Sequence, residues 1–548
     1  MHSLARWREK VTCFFESKRN FYIVLFAAML LKNFPFGFRY FRFADDYIQF
    51  RGYFFGYESL WRDVFVHHEL YGYRPLAGLT DVFIISRFWD NLAIVLLAIV
   101  ILHFVTIYLL GKLFERSNII WGRAAAVFFA LYPTLTESAY WISASSRIVT
   151  SAFFAVAAAF AIVKFIYKEG RHWIWFTAAM LSGLLAQGFY EQGIVFAFVL
   201  TLGVLIIYRK AVKHKILFAW PFANLAVIAT HYYIFRNTGL LGRRANVVQQ
   251  SLFQQIPEIA GRIGRTFVME QMPTIGNTLR LGIRQLFTEH LVLTIFVAIF
   301  ALLLSLFIVF EKSGNAEYHG SIGADKRTAR SLLAAFILTV CTLMIYFFLA
   351  NPWIWVRNFF FAVIGLAIFV EIGLRCIRQN KNKLIATGLK IGKTAVVFFA
   401  CFVFFCGFIL EVNSLRLVEK YDNIIVSNLV KEVGRLELAE EVEIVWFFGP
   451  RWTYARKINP RITSQLRINW ALNGHFTVVS DGNRNQRFIP VMAGGTSNVD
   501  FEHDILLGLD SSLNVRKLRF DGRYLIFTDT GTIFGSIDIE ENGRFTPK

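Results

Sequence analysis

Residues 92–112 read LAIVLLAIVILHFVTIYLLGK, an apolar run with no charge before its final Lys112. Strands rarely exceed ten residues, whereas a helix needs about 20 apolar residues to cross the hydrocarbon core of a bilayer. The run therefore reads as a transmembrane helix. Comparable blocks recur at 21–36, 119–135, 148–167, 173–188, 192–208, 216–235, 290–310, 331–350, 355–374 and 394–412, which makes eleven expected spans. Composition agrees: of 548 residues, 56% are hydrophobic, 17% aromatic and only 18% charged. So apolar a chain excludes disorder, collagen, a disulfide-stapled secreted module and an ordinary soluble enzyme. The expected class is a polytopic α-helical membrane protein.

The formal net charge of +20 points either to nucleic acid or to a polarised membrane topology. Position along the chain separates the two. Arg6, Arg8, Lys10, Lys18 and Arg19 precede the first span, which places the N-terminus in the cytoplasm. Alternation then assigns 112–116, 164–171, 209–215, 312–330 and 375–393 to the cytoplasm, and all are basic. The opposite face receives 36–91, 136–147, 188–191, 236–289 and 351–354, none of which contains a lysine. The charge is thus largely a topology signal, and nucleic acid drops out as a partner. An odd number of spans carries the tail outside, so two domains are expected: 1–412 in the membrane and 413–548 extracytoplasmic. No small-residue cleavage site follows the first apolar run. The outer segments have no cysteine and the chain no Asn-x-Ser/Thr acceptor, which tilts the setting toward a bacterial plasma (inner) membrane.

The polar residues of the outer segments carry the chemistry. The first opens with RFADDYIQF (42–50), where Asp45 and Asp46 are adjacent, and continues to His67, His68, Glu69, Tyr73 and Arg74. Adjacent carboxylates repel in water, but beside a proton to be abstracted or a metal one can serve as base and the other as positioning group. The plainer explanation is a solvated turn. The second segment offers Glu137, Trp141 and Arg147, the third Tyr190 and Glu191, and Arg357 lies one turn inside the tenth span. Each alone reads as an interfacial anchor. Together they fall on one face, at the mouths of different helices, as the lining of an outward-opening cavity would. Segments 36–91 and 236–289 hold six and seven arginines and no lysine. A guanidinium fork suits phosphate, so one reading is a phosphorylated lipid held by Arg74, Arg357 and Arg147; the other, of equal weight for these loops, is that arginine tolerates a membrane interface well. Segment 236–289 also shows apolar residues at helical spacing, as expected of a stretch lying along the membrane surface.

An acidic doublet, then YRPL (73–76), PTLTE (133–137), YEQG (190–193) and VRNFFF (356–361), in that order along the chain, resembles the GT-C superfamily of polytopic glycosyltransferases. Closest is the pattern of the O-mannosyltransferases that bear tetratricopeptide repeats; protein O-mannosyltransferases and the lipid A aminoarabinose transferase are more distant. The resemblance covers roughly residues 20–370. It implies an inverting transfer of a hexosyl or pentosyl group from a polyprenyl-phosphate donor to a hydroxyl acceptor on protein, glycan or glycolipid. It places the general base at Asp45 and acceptor or metal positioning at Asp46; Tyr73, Glu137, Tyr190 and Glu191 fall in its motifs, and by position Trp141 is expected beside them in the cavity. A divalent cation, Mg or Mn, is left open at the doublet. Tyr190 stands where the family commonly has lysine, Val356 replaces an acidic residue, and no 34-residue period follows 413.

The tail reads instead as an α/β or α+β domain. Residues 415–438 have helical periodicity, while VEIVWFF, HFTVVS, VRKLRF, GRYLIFTD and GTIFGSIDI read as strands. Two rivals stay open: a transporter or flippase of a lipid-linked glycan, which would show repeats and polar residues deep in its spans, and a ligase or polymerase of preassembled glycan.

Overall fold

Long apolar runs leave no way to satisfy the backbone in lipid except within helices, and helices dominate the chain. The computed structural model describes residues 2–51, 74–132, 136–167, 172–212, 215–237, 252–266, 268–269, 272–311, 322–348, 354–376, 383–436, 443–449, 466, 468–481, 486–491, 499, 501, 504–538 and 544–547. Contacts divide it into two units: Met1–Arg39, Phe65–Thr80 and Asn91–Leu410; and Tyr40–Val64, Asp81–Asp90 and Glu411–Lys548.

Among the described residues, five helical stretches are long and apolar enough to cross a membrane: Pro75–Arg116, Ile142–Ile166, Leu291–Val309, Val356–Cys376 and Gly388–Arg435. Trp173–Phe189 and Glu191–Ile207 are shorter apolar helices. Five, not eleven, thus meet both tests of length and hydropathy. The expected span 119–135 shows why: it contains only the nine-residue helix Arg123–Leu131. Tyr132 leaves that helix at ψ 120°, the extended setting favoured by a residue before proline.

Residues 142–147, expected in a loop, are the start of the Ile142–Ile166 helix. Ser143, Ser145, Ser146 and Arg147 lower the hydropathy of this stretch, yet all four are buried. Small side chains continue along the helix at Ser151, Ala152, Ala155, Ala158 and Ala159. They allow close packing against the helices Leu92–Arg116, His172–Phe189 and Glu191–Ile207.

Buried charges at one end of the first unit are accounted for by helix termini, whose orphan amides and carbonyls need partners. Arg123 donates to the carbonyls of Phe15, Glu16 and Phe307, near the ends of two other helices. In return, Glu311 accepts from the Arg123 amide and Glu371 from the Ala125 amide, each at 3.2 Å, at the start of the Arg123–Leu131 helix. Arg375 completes the set with Glu371 at 2.7 Å.

The second unit is built on a seven-stranded mixed sheet of order β2-β1-β3-β4-β5-β6-β7, with β1 Glu443–Phe448, β2 Gln486–Val491, β3 Ile505–Leu509, β4 Val515–Phe520, β5 Tyr524–Phe527, β6 Ile533–Asp538 and β7 Arg544–Pro547. β1 runs parallel to both β2 and β3, and the strands after β3 form an antiparallel meander. The uninterrupted apolar run of β1 follows from burial on both faces. Val445 and Phe447 join one core with Ile425, Leu429, Leu472 and Phe476; Phe448 joins another with Leu506, Leu518 and Leu525.

Two expectations change here. HFTVVS is not a strand but the end of the helix Asn469–Val479, whose buried Ala471, Leu472, His475 and Phe476 recur at helical spacing. The tail helix is not separate from the last span: Lys383–Arg435 is one helix of 53 residues. Hydropathy drops at Glu411, but no glycine or proline stands between there and Gly434 to end the helix.

Candidate functional site

In the second unit, the chain enters the acidic doublet through Ala44, held at φ 44° and ψ −104°, a costly setting for a residue with a Cβ. The short helix Asp45–Phe50 follows. The two carboxylates have different surroundings. Asp46 is fully buried; its Oδ2 accepts from the Tyr40 hydroxyl at 2.5 Å and the Phe43 amide at 2.9 Å. Asp45 is half-buried. Asp46 therefore ties down its own loop.

Next on this helix, Tyr47 stacks on the ring of His475, centroids 3.8 Å apart and planes 19° apart. His475 Nε2 lies 2.7 Å from Asn423 Oδ1, and the Tyr47 hydroxyl donates to the same oxygen at 3.4 Å. Arg42 completes the wall: it donates to the Trp89 carbonyl at 2.8 Å, covers the Trp89 ring and lies 3.6 Å from Glu419. Burial pushes the His475 imidazole down to about 3, and the Arg42 charge acts in the same sense. Burial also holds the Tyr47 phenol well above its ordinary value, helped by Glu419 and Asp422.

A metal ion at the doublet needs more than this. Among the described residues no three His, Cys, Asp or Glu are grouped to hold one, and Asp46 already spends an oxygen on Tyr40 and Phe43. The described ligand set does not fit, and no step below uses a metal.

In the first unit, three short motifs far apart in sequence come together. Arg74 forms a two-point ion pair with Glu191, Nε to Oε2 at 2.6 Å and Nη2 to Oε1 at 2.5 Å. Its guanidinium also lies 4.6 Å from the Tyr190 ring centre. The Tyr190 hydroxyl accepts from Asn358 at 3.0 Å, and Gln192 donates to the Asn358 and Thr342 carbonyls. Gly193 lets the Glu191–Ile207 helix close on its neighbour, since a Cβ there would overlap Ser151 Oγ. Arg147, buried on the Ile142–Ile166 helix, acts electrostatically on Glu191. Glu137 is half-buried in the turn Thr136–Ala139.

Arg357 differs from Arg74. Half-buried, it lies 5.4 Å from the Trp141 ring and 5.5 Å from that of Trp355. Among the described residues it has no carboxylate partner. Tyr346, unremarked in the sequence, lies within electrostatic reach of Arg74, Arg357 and Glu191. Its buried hydroxyl has no hydrogen-bond partner among the described residues.

Asn358 and Gln192 sit inside motifs already singled out, whereas nothing local marks Tyr346, Tyr40 or His475. Tyr73, His67, His68, Glu69 and Pro133 lie outside the described residues. In segment 236–289, the described part contains the helices Leu252–Thr266, Met272–Asn277 and Ile283–Glu289, with Arg262 paired to Glu258 at 2.7 Å. The chain matches no known protein family, no curated protein and no solved structure.

Proposed function

We propose that the chain is a membrane glycosyltransferase of the GT-C kind, moving a sugar from a polyprenyl-phosphate donor to a hydroxyl acceptor at the extracytoplasmic face. The observation that carries this reading is Arg357, a guanidinium held between two indoles with no carboxylate partner among the described residues. Such a group, with the Arg74 and Arg147 charges in the same unit, suits a lipid phosphate whose charge persists as the sugar departs. Arg74 serves mainly to hold Glu191 and the Tyr190 turn in place. Asp45 is the general base: its carboxylate takes the acceptor proton as the acceptor oxygen attacks the anomeric carbon, and the sugar–phosphate bond breaks with inversion. Asp46 fixes the loop that presents Asp45. The eleven-span topology, the cytoplasmic N-terminus and the bacterial plasma membrane belong to the same proposal.

The test uses purified protein with a lipid-phosphate sugar and a hydroxyl acceptor. Loss of transfer in Asp45→Asn supports the mechanism; full transfer sinks it. Mass spectrometry of surface glycans in a deletion strain identifies the sugar and acceptor.

One observation favours a transporter instead. Lys32 and His103 are almost completely buried in the membrane unit, with Lys32 donating to the Ala130 carbonyl at 2.6 Å. Movement of a lipid-linked glycan across proteoliposomes without any transfer would select that reading.

A further inference from the structure

The acidic doublet lies in the first 50 residues, yet its surroundings in the second unit come from the far end of the chain. Tyr47, two positions after Asp45, has its ring stacked on His475 and its hydroxyl on Asn423. Ile48 meets the backbone of the facing helix at Gly474, where an added Cβ would stand 3.1 Å from the Ile48 Cβ. Successive residues of the Asp45–Phe50 helix are therefore held by successive residues of the Asn469–Val479 helix. His475 is itself fixed. An amide oxygen only accepts, so Nε2 carries the proton and donates to Asn423 Oδ1 across 2.7 Å. The ring is 2% exposed and cannot reach solvent without unstacking.

A six-residue helix has too few hydrogen bonds to hold its own orientation in water. The rotation of this one, and with it the direction in which Asp45 points, depends on what grips its next turn. Packing alone would accept any apolar residue at 475. A buried imidazole that must be kept neutral is costly, and its donor fixes the ring plane on which Tyr47 lies.

We infer that His475, clamped by Asn423, is a positioning residue that sets the orientation of Asp45 through Tyr47. The C-terminal stretch is then part of the apparatus of transfer rather than an accessory cap. The inference rests on the reading of Asp45 as general base, and its test separates the two.

Full-length His475→Ala and His475→Phe are compared with wild type by transfer kinetics and by hydrogen exchange of the peptide covering residues 45–50. His475→Ala is expected to speed exchange in that peptide about tenfold and to lower kcat about tenfold or more, with the KM for the donor unchanged. His475→Phe, which keeps a ring for Tyr47 but loses the donor to Asn423, restores only part of both. Gly474→Ala leaves His475 intact, displaces Ile48 and is expected to lower kcat alone. Wild-type exchange in His475→Ala overturns the inference, as does a donor KM that rises while kcat holds. If the wild-type protein transfers no sugar, the enzymatic reading falls, and the exchange comparison still decides whether His475 holds the helix. If His475→Ala fails to fold, His475→Phe decides: faster exchange in the 45–50 peptide and a lowered kcat with normal donor KM uphold the inference, and wild-type values of both overturn it.

Discussion

Arg74 and Glu191, 117 positions apart, meet through two parallel N–H···O contacts of 2.6 and 2.5 Å. The pair joins the start of the Pro75–Leu79 helix to the start of the Glu191–Ile207 helix. Side-chain exposures of 12% and 30% place it between a surface pair and a fully buried one.

Truncating either partner leaves the other charge poorly solvated. Arg74→Ala and Glu191→Ala are each expected to cost about 2 kcal/mol, below the 3 to 5 typical of fully buried pairs. The double variant should lose less than the sum, with a coupling of about 1–2 kcal/mol in unfolding midpoints of detergent-purified protein. Strict additivity would mean that the two do not support each other.

The members of the doublet should separate. Asp46→Ala removes the acceptor of a buried hydroxyl and a buried amide, and a loss of about 2–3 kcal/mol is expected. Asp45→Asn, which keeps the size of the side chain, should abolish transfer. Ala44→Gly relieves an unfavourable φ and should stabilise by about 1 kcal/mol. Circular dichroism melts together with transfer assays check all three.

On the proposed reading of Arg357 as a phosphate ligand, Arg357→Ala is expected to raise the donor KM about tenfold or more. Arg357→Lys keeps the charge but not the planar fork or its fit between Trp141 and Trp355, and should recover only part of the loss. A donor dependence unchanged in both variants would remove Arg357 from the phosphate site.

His475 gives stability a pH dependence whose sign is fixed. Its folded-state value of about 3 lies below the ordinary 6.5, so the unfolded chain takes up the proton first as pH falls. Stability is complete above about pH 6.5 and declines toward pH 3, by at most about 1.4 kcal/mol per pH unit. In the window from pH 6.5 to 5 other groups respond as well, among them Glu419, whose carboxyl burial pushes up, so His475 is read from the difference between wild type and His475→Phe. Melting midpoints of wild type should fall across that window, and those of His475→Phe should fall less.

Apolar runs such as 291–309 announced their helices because lipid-facing surface must be apolar over its whole length. Hydropathy failed at 142–147, where serines and an arginine face other helices rather than water, and at 475–480, where a short apolar run fits either period. The motifs with Arg74, Tyr190 and Arg357 were legible as candidates, but their meeting was not. It depends on helix packing such as the approach Gly193 allows to Ser151. Nor could two adjacent aspartates reveal their different surroundings, which are set by Tyr40 and by the backbone at Ala44.

The second unit is discontinuous in sequence, and this puts a delay into its assembly. Tyr47 and the Asn423 side chain it bonds are 376 positions apart. At ribosomal rates of about 5–20 residues per second, the acidic segment waits roughly 20 to 75 s after synthesis for that partner, and longer for His475. A nascent chain carries its membrane helices through insertion while the doublet has no template to fold upon. The surroundings of the doublet are complete only once the tail is made, so a prematurely terminated chain leaves the Asp45–Phe50 helix without His475 to stack on.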